Sequence, residues 1–374
     1  MVSLHWFLPT AGDDRHVVGF GATTGHRDPS REYLAQVARA AEQLGFDAVL
    51  TPTGTACEDA WITTASLLGD TERLRFLVAF RPGLVSPTLS AQMAGTFQRL
   101  SKGRLLLNVV TGGDAEEQRR FGDWLDHDAR YDRTDEFLTV LRGAWGDTPF
   151  DFSGRHYEVA GATVSAPPDP VPPVFFGGAS PAAERVAARH ADVYLAWGEP
   201  PSMVAERVDR VSAGAAALGR SIGFGIRLHV IARDTADEAW AEARRLLAQM
   251  DPAAIAAAQA QFAVTESVGQ QRMASLHGGR ADRLEIAPNL WAGYGLVRGG
   301  AGTALVGSHE EIADRIAEYH QLGFDHFILS GQPHLEEAYW FGEGVIPVLR
   351  ARGLLDDVAA GRVTRGPLSG TPAG

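Results

Sequence analysis

Two arginines and a histidine form the most chemically specific pattern in this sequence. Arg227 and His229 stand two positions apart in the apolar run 223–232, so both side chains fall on one face of a β-strand. Arg298 lies in the segment VRGGAG, whose glycines would let a loop fold onto a bound anion. An inward arginine is costly unless it meets an acidic side chain or an anionic ligand, so the pattern predicts a clamp for a sulfonate or a phosphate. The alternative that stays open is a structural salt bridge to Asp59, Glu199 or Glu285.

A second pattern is typical of a phosphate site. The segment FGGAS ends with Gly178, Ala179 and Ser180 directly before a predicted helix, where backbone N–H groups can approach an anion. Asn108 and Thr111 add polar groups at the end of another strand. Together these residues suit a phosphorylated cofactor with a polar ring edge, although a glycine pair after a strand is also a plain turn.

Other reactive residue types give weaker signals. Cys57 precedes a predicted helix, and we interpret it as a residue that lines a cofactor pocket. Trp197 ends a predicted strand and can form a pocket wall. The histidines are scattered, with no HExxH motif, and we expect no metal site. A GxSxG motif is also missing, which disfavours acyl hydrolysis.

These residues lie at the ends of short apolar runs that alternate with helical runs. The eight predicted strands are 4–9, 46–52, 75–81, 105–111, 173–177, 192–197, 223–232 and 325–330. Apolar strands that alternate with helices indicate a parallel sheet covered on both faces, and eight such units favour a closed (β/α)₈ TIM barrel. No GxGxxG follows the first strand, so an open dinucleotide-binding sheet is disfavoured. In a barrel the active site lies at the carboxyl ends of the strands.

Three intervals interrupt the alternation. Residues 112–132 and 147–172 fall outside the regular units, and the second is predicted to consist of turns and extended chain. Residues 250–308, between the seventh and eighth strands, begin with a helical run at 252–263 and are predicted to form a lid. We expect one domain over 1–354 and a flexible tail at 355–374.

Composition excludes several classes of protein. Among 374 residues, acidic residues outnumber basic ones by 46 to 34, and a net charge of −12 argues against nucleic acid or anionic membrane as a partner. The single cysteine excludes a disulfide framework. No stretch approaches the roughly 20 apolar residues of a membrane span, and the N-terminus has no signal-peptide pattern. We therefore expect a cytoplasmic protein.

Long segments of the chain resemble the FMNH₂-dependent alkanesulfonate monooxygenases, which belong to the bacterial-luciferase-like flavin barrels. The similarity runs in order from about residue 3 to about residue 350, through segments that include PTGTACEDAW, LNVVTGGD, LDHDARYDR, FFGGAS, YLAWGEPP, GIRLHVIARDT and NLWAGYGLVRGGAGTALVG. The resemblance implies a barrel with an insertion before the last strand. It also implies a two-component reaction. A separate NAD(P)H-dependent flavin reductase supplies reduced FMN, and the monooxygenase uses O₂ to cleave the C–S bond of an organosulfonate into an aldehyde and sulfite.

The resemblance assigns roles to individual residues. The catalytic and substrate-binding positions that it implies are Arg227, His229, Arg298 and Trp197. The flavin-binding positions, by resemblance or by the patterns above, are Cys57, Asn108, Thr111, Tyr131, Gly178, Ala179 and Ser180. Two positions depart from the family pattern, because Ala11 replaces a histidine and Gln332 replaces a tyrosine. Both are expected at one region of the substrate pocket, which implies a shifted substrate or another route for protons.

Alternatives to this function remain open. Luciferase-like barrels also include oxidoreductases that use a deazaflavin (F420), and the substrate of this chain could be a different sulfur compound. A flavin or sulfonate binding protein without activity is a third hypothesis, which the inward arginines disfavour. We further expect a homo-oligomer, either a dimer or a tetramer.

Overall fold

The computed structural model describes residues 1–17 and 27–356. The strands are β1 (Ser3–Phe7), β2 (Ala48–Thr51), β3 (Arg75–Phe80), β4 (Leu105–Val109), β5 (Phe150–Ser153), β6 (Glu158–Ala162), β7 (Val174–Gly177), β8 (Val193–Trp197), β9 (Gly223–Arg233), β10 (Glu285–Ala287), β11 (Leu290–Trp291), β12 (Ala304–Ser308) and β13 (Phe324–Ser330). The helices are α1 (Arg31–Leu44), α2 (Ala60–Ser66), α3 (Pro87–Ser101), α4 (Ala115–Arg120), α5 (His127–Gly143), α6 (Pro181–His190), α7 (Pro201–Ala216), α8 (Ala236–Ala248), α9 (Pro252–Ala263), α10 (Val268–His277), α11 (His309–Gln321), α12 (His334–Trp340) and α13 (Ile346–Ala351). A 3₁₀ turn spans Gly293–Leu296, and a π-helical turn spans Phe341–Val345.

Eight parallel strands close into a ring in the order β1, β2, β3, β4, β7, β8, β9 and β13. The ring is closed because β9 pairs with both β8 and β13, and β13 pairs in turn with β1. Each of the eight strands predicted from the sequence is one of these. The predicted (β/α)₈ barrel is therefore confirmed, with additional strands outside the ring.

The strands are apolar because both of their faces are buried. In β1, Leu4 and Trp6 belong to the large core cluster between the ring and its helices. Phe7 points the other way and packs against the small cluster inside the ring, which includes Leu50 and Phe175. Every second side chain of a ring strand therefore points into the barrel interior. Among these, the side chains nearest the carboxyl end of the strand lie at the site.

Local signals explain where the helices begin and end. Ser30 caps α1 by accepting a hydrogen bond from the Tyr33 N–H at 3.2 Å. Gly45 ends the helix, as predicted. Its φ of 95° lies in the left-handed region, which is unfavourable for residues that have a side chain. Asp59 caps α2 by accepting from the Ile62 N–H at 2.8 Å.

β9 is 11 residues long and extends beyond the ring. Up to Arg227 it pairs with β8, and from His229 onward it pairs with β12, which comes from the insertion. β12 continues through β11 to β10 in an antiparallel extension. The insertion at 250–308 is therefore attached to the strand that carries two of the candidate side chains.

The helical run predicted at 252–263 is confirmed as α9. α10 and the strands β10–β12 of the same insertion are not predicted from the sequence. α10 buries few apolar side chains among the described residues, Met273 being one, so its sequence carries little apolar periodicity.

The structure corrects the prediction of turns and extended chain over 147–172. β5 and β6 form an antiparallel hairpin there. Phe150 packs against α5 at Gly143, where a Cβ would stand 2.4 Å from the ring. Both strands are largely exposed, so they lack the continuous apolar run that identifies the ring strands.

The interval 112–132 is also more regular than predicted. It contains α4 and the start of α5. Asp126 caps α5 by accepting from the Ala129 N–H at 2.8 Å, so the helix begins six residues before the predicted start at 133.

In the described part of the chain, no helix is long and apolar enough to cross a membrane. Residues 357–374 of the predicted tail lie outside the described residues. The single domain over 1–354 stays a prediction.

Candidate active site

The carboxyl edge of the barrel brings the sequence-predicted residues to one end of the molecule. They lie in or after seven of the eight ring strands: Ala11 after β1, Cys57 after β2, Asn108 and Thr111 in and after β4, Gly178, Ala179 and Ser180 after β7, Trp197 at the end of β8, Arg227 and His229 in β9, and Gln332 after β13. Tyr131 reaches this edge from α5, and Arg298 comes from the insertion. Parallel strands explain the convergence, because their carboxyl ends all meet at one edge.

Arg227 lies inside the barrel, and the described residues give it no acidic partner. Its guanidinium stands 4.7 Å from the ring centre of Phe7, and its Nη2 donates to the Ser330 hydroxyl at 2.8 Å. Burial and the charge of Arg298 lower the pKa of Arg227, yet a guanidinium stays protonated near neutral pH. The site therefore holds a buried positive charge.

His229 is neutral and firmly oriented. Its Nε2 donates to the carbonyl of Ala301 at 3.1 Å, so its Nδ1 accepts from the Ser330 hydroxyl at 2.7 Å. Its ring is stacked on Tyr294, with the centroids 4.2 Å apart. Burial and the charges of Arg227 and Arg298 hold the pKa of His229 well below its ordinary value. Both ring nitrogens are therefore occupied by the protein, and Ser330 links His229 to Arg227.

Arg298 is half-buried beside the same group of side chains. Within residues 1–17 and 27–356, no hydrogen bond or ion pair is found for its guanidinium. Its charge couples to Asp13 and to Cys57, which places it across the opening between β1 and β2. Burial lowers the pKa of Arg298, as it does for Arg227. Two guanidinium groups thus share one site, where their like charges repel each other.

The structure decides against the salt-bridge alternative. Asp59 caps α2, Glu285 is exposed and accepts from the Asn289 N–H, and Glu199 binds two other arginines. In the part of the chain that the structure describes, neither Arg227 nor Arg298 has an anionic partner. The arrangement is that of an anion-binding site.

The second end of the site lies after β7. Ser180 is buried and caps α6 by accepting from the Ala183 N–H at 3.2 Å. The Tyr131 hydroxyl lies near the Ser180 side chain and stands where a Cβ on Gly178 would be only 2.9 Å away. Gly178 has a φ of 149°, so glycine is required there for both space and conformation. This concave surface at a helix N-terminus suits a phosphate.

Unsatisfied donors support that interpretation. Arg130 is 1% exposed, and its Nε and Nη2 have no hydrogen-bond partner among the described residues. The nearest anion to Arg130 is Glu266 of the insertion, at 3.5 Å. The Thr111 hydroxyl is likewise buried without a partner. Buried donors without partners are uncommon and indicate a ligand that accepts from them.

Cys57 and Trp197 form walls rather than reactive groups. Burial raises the pKa of the Cys57 thiol, so the sulfur is protonated and not poised as a nucleophile. Trp197 packs against α10, where a Cβ on Gly269 would be 3.0 Å from its ring. The insertion therefore closes over the end of β8.

The two positions that depart from the family pattern lie near one loop. The Gln332 amide donates to the carbonyls of Asp14 and His16, at 2.6 and 3.0 Å. Ala11 begins the same loop and is exposed. Gln332 therefore holds the loop that contains Ala11, and no direct contact between Ala11 and Gln332 is found in the described residues.

Sequence reasoning missed several residues of the site. Asp13 and His334 form a buried pair, Tyr294 stacks on His229, and Arg81 pairs with Glu117 beside Cys57. Asp13 and His334 both stand after ring strands, a position that could have drawn attention to them. Their pairing could not be seen, because 321 positions separate them.

The family of the chain follows from its sequence as a whole. Residues 2–326 match the family model for luciferase-like monooxygenases. The chain belongs to the luciferase-like monooxygenase family. The shared fold explains why candidate residues spread over the whole length of the chain meet at one edge of a barrel.

Solved structures show the same fold at low sequence identity. A riboflavin lyase, solved with modified FMN and riboflavin, has a TM-score of 0.79 at 22% identity and covers 95% of this chain and 93% of its own. The EDTA monooxygenase of Chelativorans sp. BNC1 has a TM-score of 0.77 at 21% identity, with 95% of each chain covered. The coenzyme F420-dependent tetrahydromethanopterin reductase of Methanopyrus kandleri has a TM-score of 0.66 at 16% identity, with 93% of this chain and 99% of its own covered. At these identities the similarity establishes the fold alone.

Proposed function

We propose that this protein is the oxygenase of a two-component, reduced-FMN-dependent system that cleaves the C–S bond of an organosulfonate. In the overall reaction, a sulfonate, O₂ and reduced FMN give an aldehyde, bisulfite, water and oxidised FMN. A separate NAD(P)H-dependent flavin reductase supplies the reduced FMN, since the barrel offers no dinucleotide fingerprint of its own.

The observation that carries the proposal is the unpartnered pair Arg227 and Arg298. Two half-buried guanidinium groups without an acidic partner among the described residues favour an anion that stays ionised throughout the pH range of the cell. A planar guanidinium binds oxyanions through two parallel N–H···O bonds, and a sulfonate presents three oxygens. Ser330 and neutral His229 fix the orientation of Arg227.

The residues after β4 and β7 fit a flavin mononucleotide. Ser180, Tyr131 and the N-terminus of α6 would hold the phosphate, with Arg130 as an additional charge. Thr111 and Asn108 would bind the polar edge of the ring system, next to Cys57. When bound, the reduced flavin supplies the two electrons that activate O₂. The protein binds, orients and excludes water.

Exclusion of water is the task of the insertion. α10 covers Trp197, and its Arg272 binds Glu199 at the base of the lid, with an Nε–Oε1 distance of 2.8 Å. The Gln270 side chain of α10 accepts from the Gly300 N–H at 2.8 Å and so holds the loop that contains Arg298. Closure of the lid therefore completes the anion site and dries it in the same movement.

The test is sulfite release from a panel of linear and hydroxylated sulfonates, with a flavin reductase, NAD(P)H and FMN present. Sulfite above the level of the reductase alone is the expected result for at least one sulfonate. A parallel titration compares reduced FMN with reduced deazaflavin. Tight binding of the deazaflavin alone, with no sulfite from any sulfonate, would overturn the proposal in favour of hydride transfer.

A further inference from the structure

Asp13 and His334 form an acid–imidazole pair at the mouth of the barrel. Asp13 is 1% exposed and His334 is 4% exposed. The Nδ1 of His334 donates to Asp13 Oδ1 at 2.9 Å, and the backbone N–H of His334 donates to Asp13 Oδ2 at 2.8 Å. The Tyr33 hydroxyl also donates to Asp13 Oδ2. Although burial raises the pKa of Asp13, its interactions with His334 and Tyr33 lower it below its ordinary value.

Because Asp13 binds Nδ1 of the imidazole, the second ring nitrogen, Nε2, is available to accept a proton. The carboxylate holds the proton on Nδ1, so Nε2 is the basic atom of the neutral ring. The Nε2 of His334 is buried, and no hydrogen-bond partner for it exists among the described residues. A carboxylate that orients a histidine in this way is the arrangement that general-base catalysis uses.

His334 stands next to the anion clamp. Its ring centre is 5.8 Å from that of Phe7, whose other neighbour is the Arg227 guanidinium at 4.7 Å. His334 lies close enough to His229, and Asp13 close enough to Arg298, for each pair to interact electrostatically. His229 has no free nitrogen, since Ala301 and Ser330 occupy both. Among these residues His334 is thus the imidazole with an unused nitrogen.

We propose that His334, oriented by Asp13, is the base that takes the proton released when the oxygenated substrate loses sulfite. This inference rests on the proposed function. Insertion of one oxygen atom at the carbon next to sulfur gives an α-hydroxysulfonate. The O–H bond then breaks and its proton goes to Nε2. The electron pair of that bond forms the C=O of the aldehyde, and the electron pair of the C–S bond leaves with sulfite. No oxidant or reductant is needed in this step.

The Asp13–His334 pair lies beside a polar cavity into which the proton can be released. Asp13 lines a cavity of about 590 Å³, together with polar residues that include Arg15, Arg27 and Arg245. The other groups near His334 that titrate or carry charge are Tyr33 of α1, His229 of β9 and Arg298 of the insertion. The pair therefore connects the barrel interior with a polar cavity. It also offers a proton acceptor in a chain where Ala11 and Gln332 supply none.

The experiment uses an α-hydroxysulfonate directly, because aldehyde–bisulfite adducts belong to that class and need neither reduced flavin nor O₂. The probe is the bisulfite adduct of a short linear aldehyde, and sulfite release is followed with and without oxidised FMN. Wild-type protein should accelerate the breakdown. His334→Asn, whose amide keeps a donor for Asp13 but has no basic nitrogen, should lose this acceleration by about 100-fold. His320→Asn, on the outer helix α11, serves as the control and should match wild type.

Additional variants and measurements keep the inference testable if His334→Asn does not fold. His334→Gln should show the same loss, and added imidazole should restore part of the rate to His334→Ala.

Two results would overturn the inference: a His334→Asn rate equal to wild type, or wild-type protein that does not accelerate adduct breakdown. If wild type breaks down the adduct but no sulfonate yields sulfite with reduced FMN and O₂, the proposed function fails and the role of His334 stands.

Discussion

Arg298 has unfavourable surroundings in the protein without a ligand. It is half-buried, its guanidinium lacks a partner within the described ranges, and it lies close enough to Arg227 to lower the pKa of that group. A buried charge with a like charge beside it destabilises the fold until an anion binds. The two arginines therefore lower the stability of the protein without a ligand and raise its affinity for an anion, a combination that is common at functional sites.

The first prediction is that Arg298→Ala separates activity from stability. The kcat/KM for sulfite release should fall by a factor that corresponds to about 3 kcal/mol or more of lost transition-state stabilisation, because one half of a desolvated charge contact is lost. The melting temperature of the free protein should stay the same or rise, because a buried repulsion is removed. Arg298→Lys should also lose most activity, since an ammonium cannot form two parallel bonds. The measurements are sulfite kinetics and thermal unfolding.

Arg104→Ala is the matched contrast for this prediction. Arg104 is also partly buried, but it donates to the carbonyls of Leu68, Thr71 and Leu74. Its loss should lower the melting temperature, because these acceptors lose their partner. If Arg298→Ala is as destabilising as Arg104→Ala, Arg298 has a structural partner, and the hypothesis that it binds a substrate anion is wrong.

The second prediction concerns the phosphate. Aspartate is a good helix cap, so Ser180→Asp should preserve α6 while it places a negative charge beside the bound phosphate. Reduced FMN should then no longer bind, whereas riboflavin, which lacks the phosphate, should bind as it does to wild type. Fluorescence titration measures both. Ser308→Asp at the cap of α11 is the control. Equal loss of riboflavin and FMN would mean that the phosphate lies elsewhere.

At the scale of elements, the insertion is the part that the sequence predicts least well. Its position and the helix α9 follow from the length of the interval and from an Ala-rich run. α10 could not be predicted, because its contacts are polar and lie far away in the sequence: Arg272 reaches Glu199, and Gln270 reaches Gly300. Polar contacts of this kind leave no periodicity to detect.

The ring strands show the opposite behaviour. Their apolar runs are continuous because helices cover one face and the small interior cluster fills the other. The same regularity identified Arg227 and His229 as strand-end residues. It could not reveal Ser330, which joins them, or the pairing of Asp13 with His334, since both depend on β13 closing the ring beside β1.

The third prediction is that the contact between Arg272 and Glu199 keeps the lid closed. Glu199 is 1% exposed and is also bound by Arg207 at 3.0 Å, so it stays paired when Arg272 is removed. Arg272→Met should therefore fold normally but admit water to the site. The expected result is more hydrogen peroxide and less sulfite for each reduced FMN consumed.

Arg210→Met provides the control for the lid. It removes an arginine of α7 that binds Glu184 on the outer surface, at 2.8 Å. Its ratio of peroxide to sulfite should equal that of wild type. An unchanged ratio in Arg272→Met as well would show that the lid does not depend on this ion pair.

At the scale of the whole molecule, two histidines lie within the closed ring. The His5 Nε2 and the His326 Nδ1 are 3.0 Å apart, and Phe175 packs edge-on against both rings. Burial, with a smaller contribution from Arg75, lowers the pKa of His326 to about 4. Protonation of this pair would place charge in an apolar interior, so the barrel is most stable while both rings are neutral.

The fourth prediction follows from this pKa. Because the folded-state pKa lies below the ordinary value, the contribution of His326 to stability is complete above about pH 6.5 and is lost as the pH falls toward 4. Between pH 7 and pH 5 the loss should be roughly 2 kcal/mol. Unfolding of wild type and His326→Asn at both pH values measures it, and the variant should lose less. Equal losses would show that His326 does not titrate in this range.

The most direct test of the account is the ratio of sulfite released to O₂ consumed with a sulfonate that the panel identifies, while a flavin reductase supplies reduced FMN. An anion clamp, a flavin site and a closed lid acting together predict a ratio near one and little hydrogen peroxide. The ratio should fall in Arg298→Ala, while O₂ consumption continues. Consumption of O₂ entirely as hydrogen peroxide with every sulfonate, at the rate seen without the protein, would contradict the account.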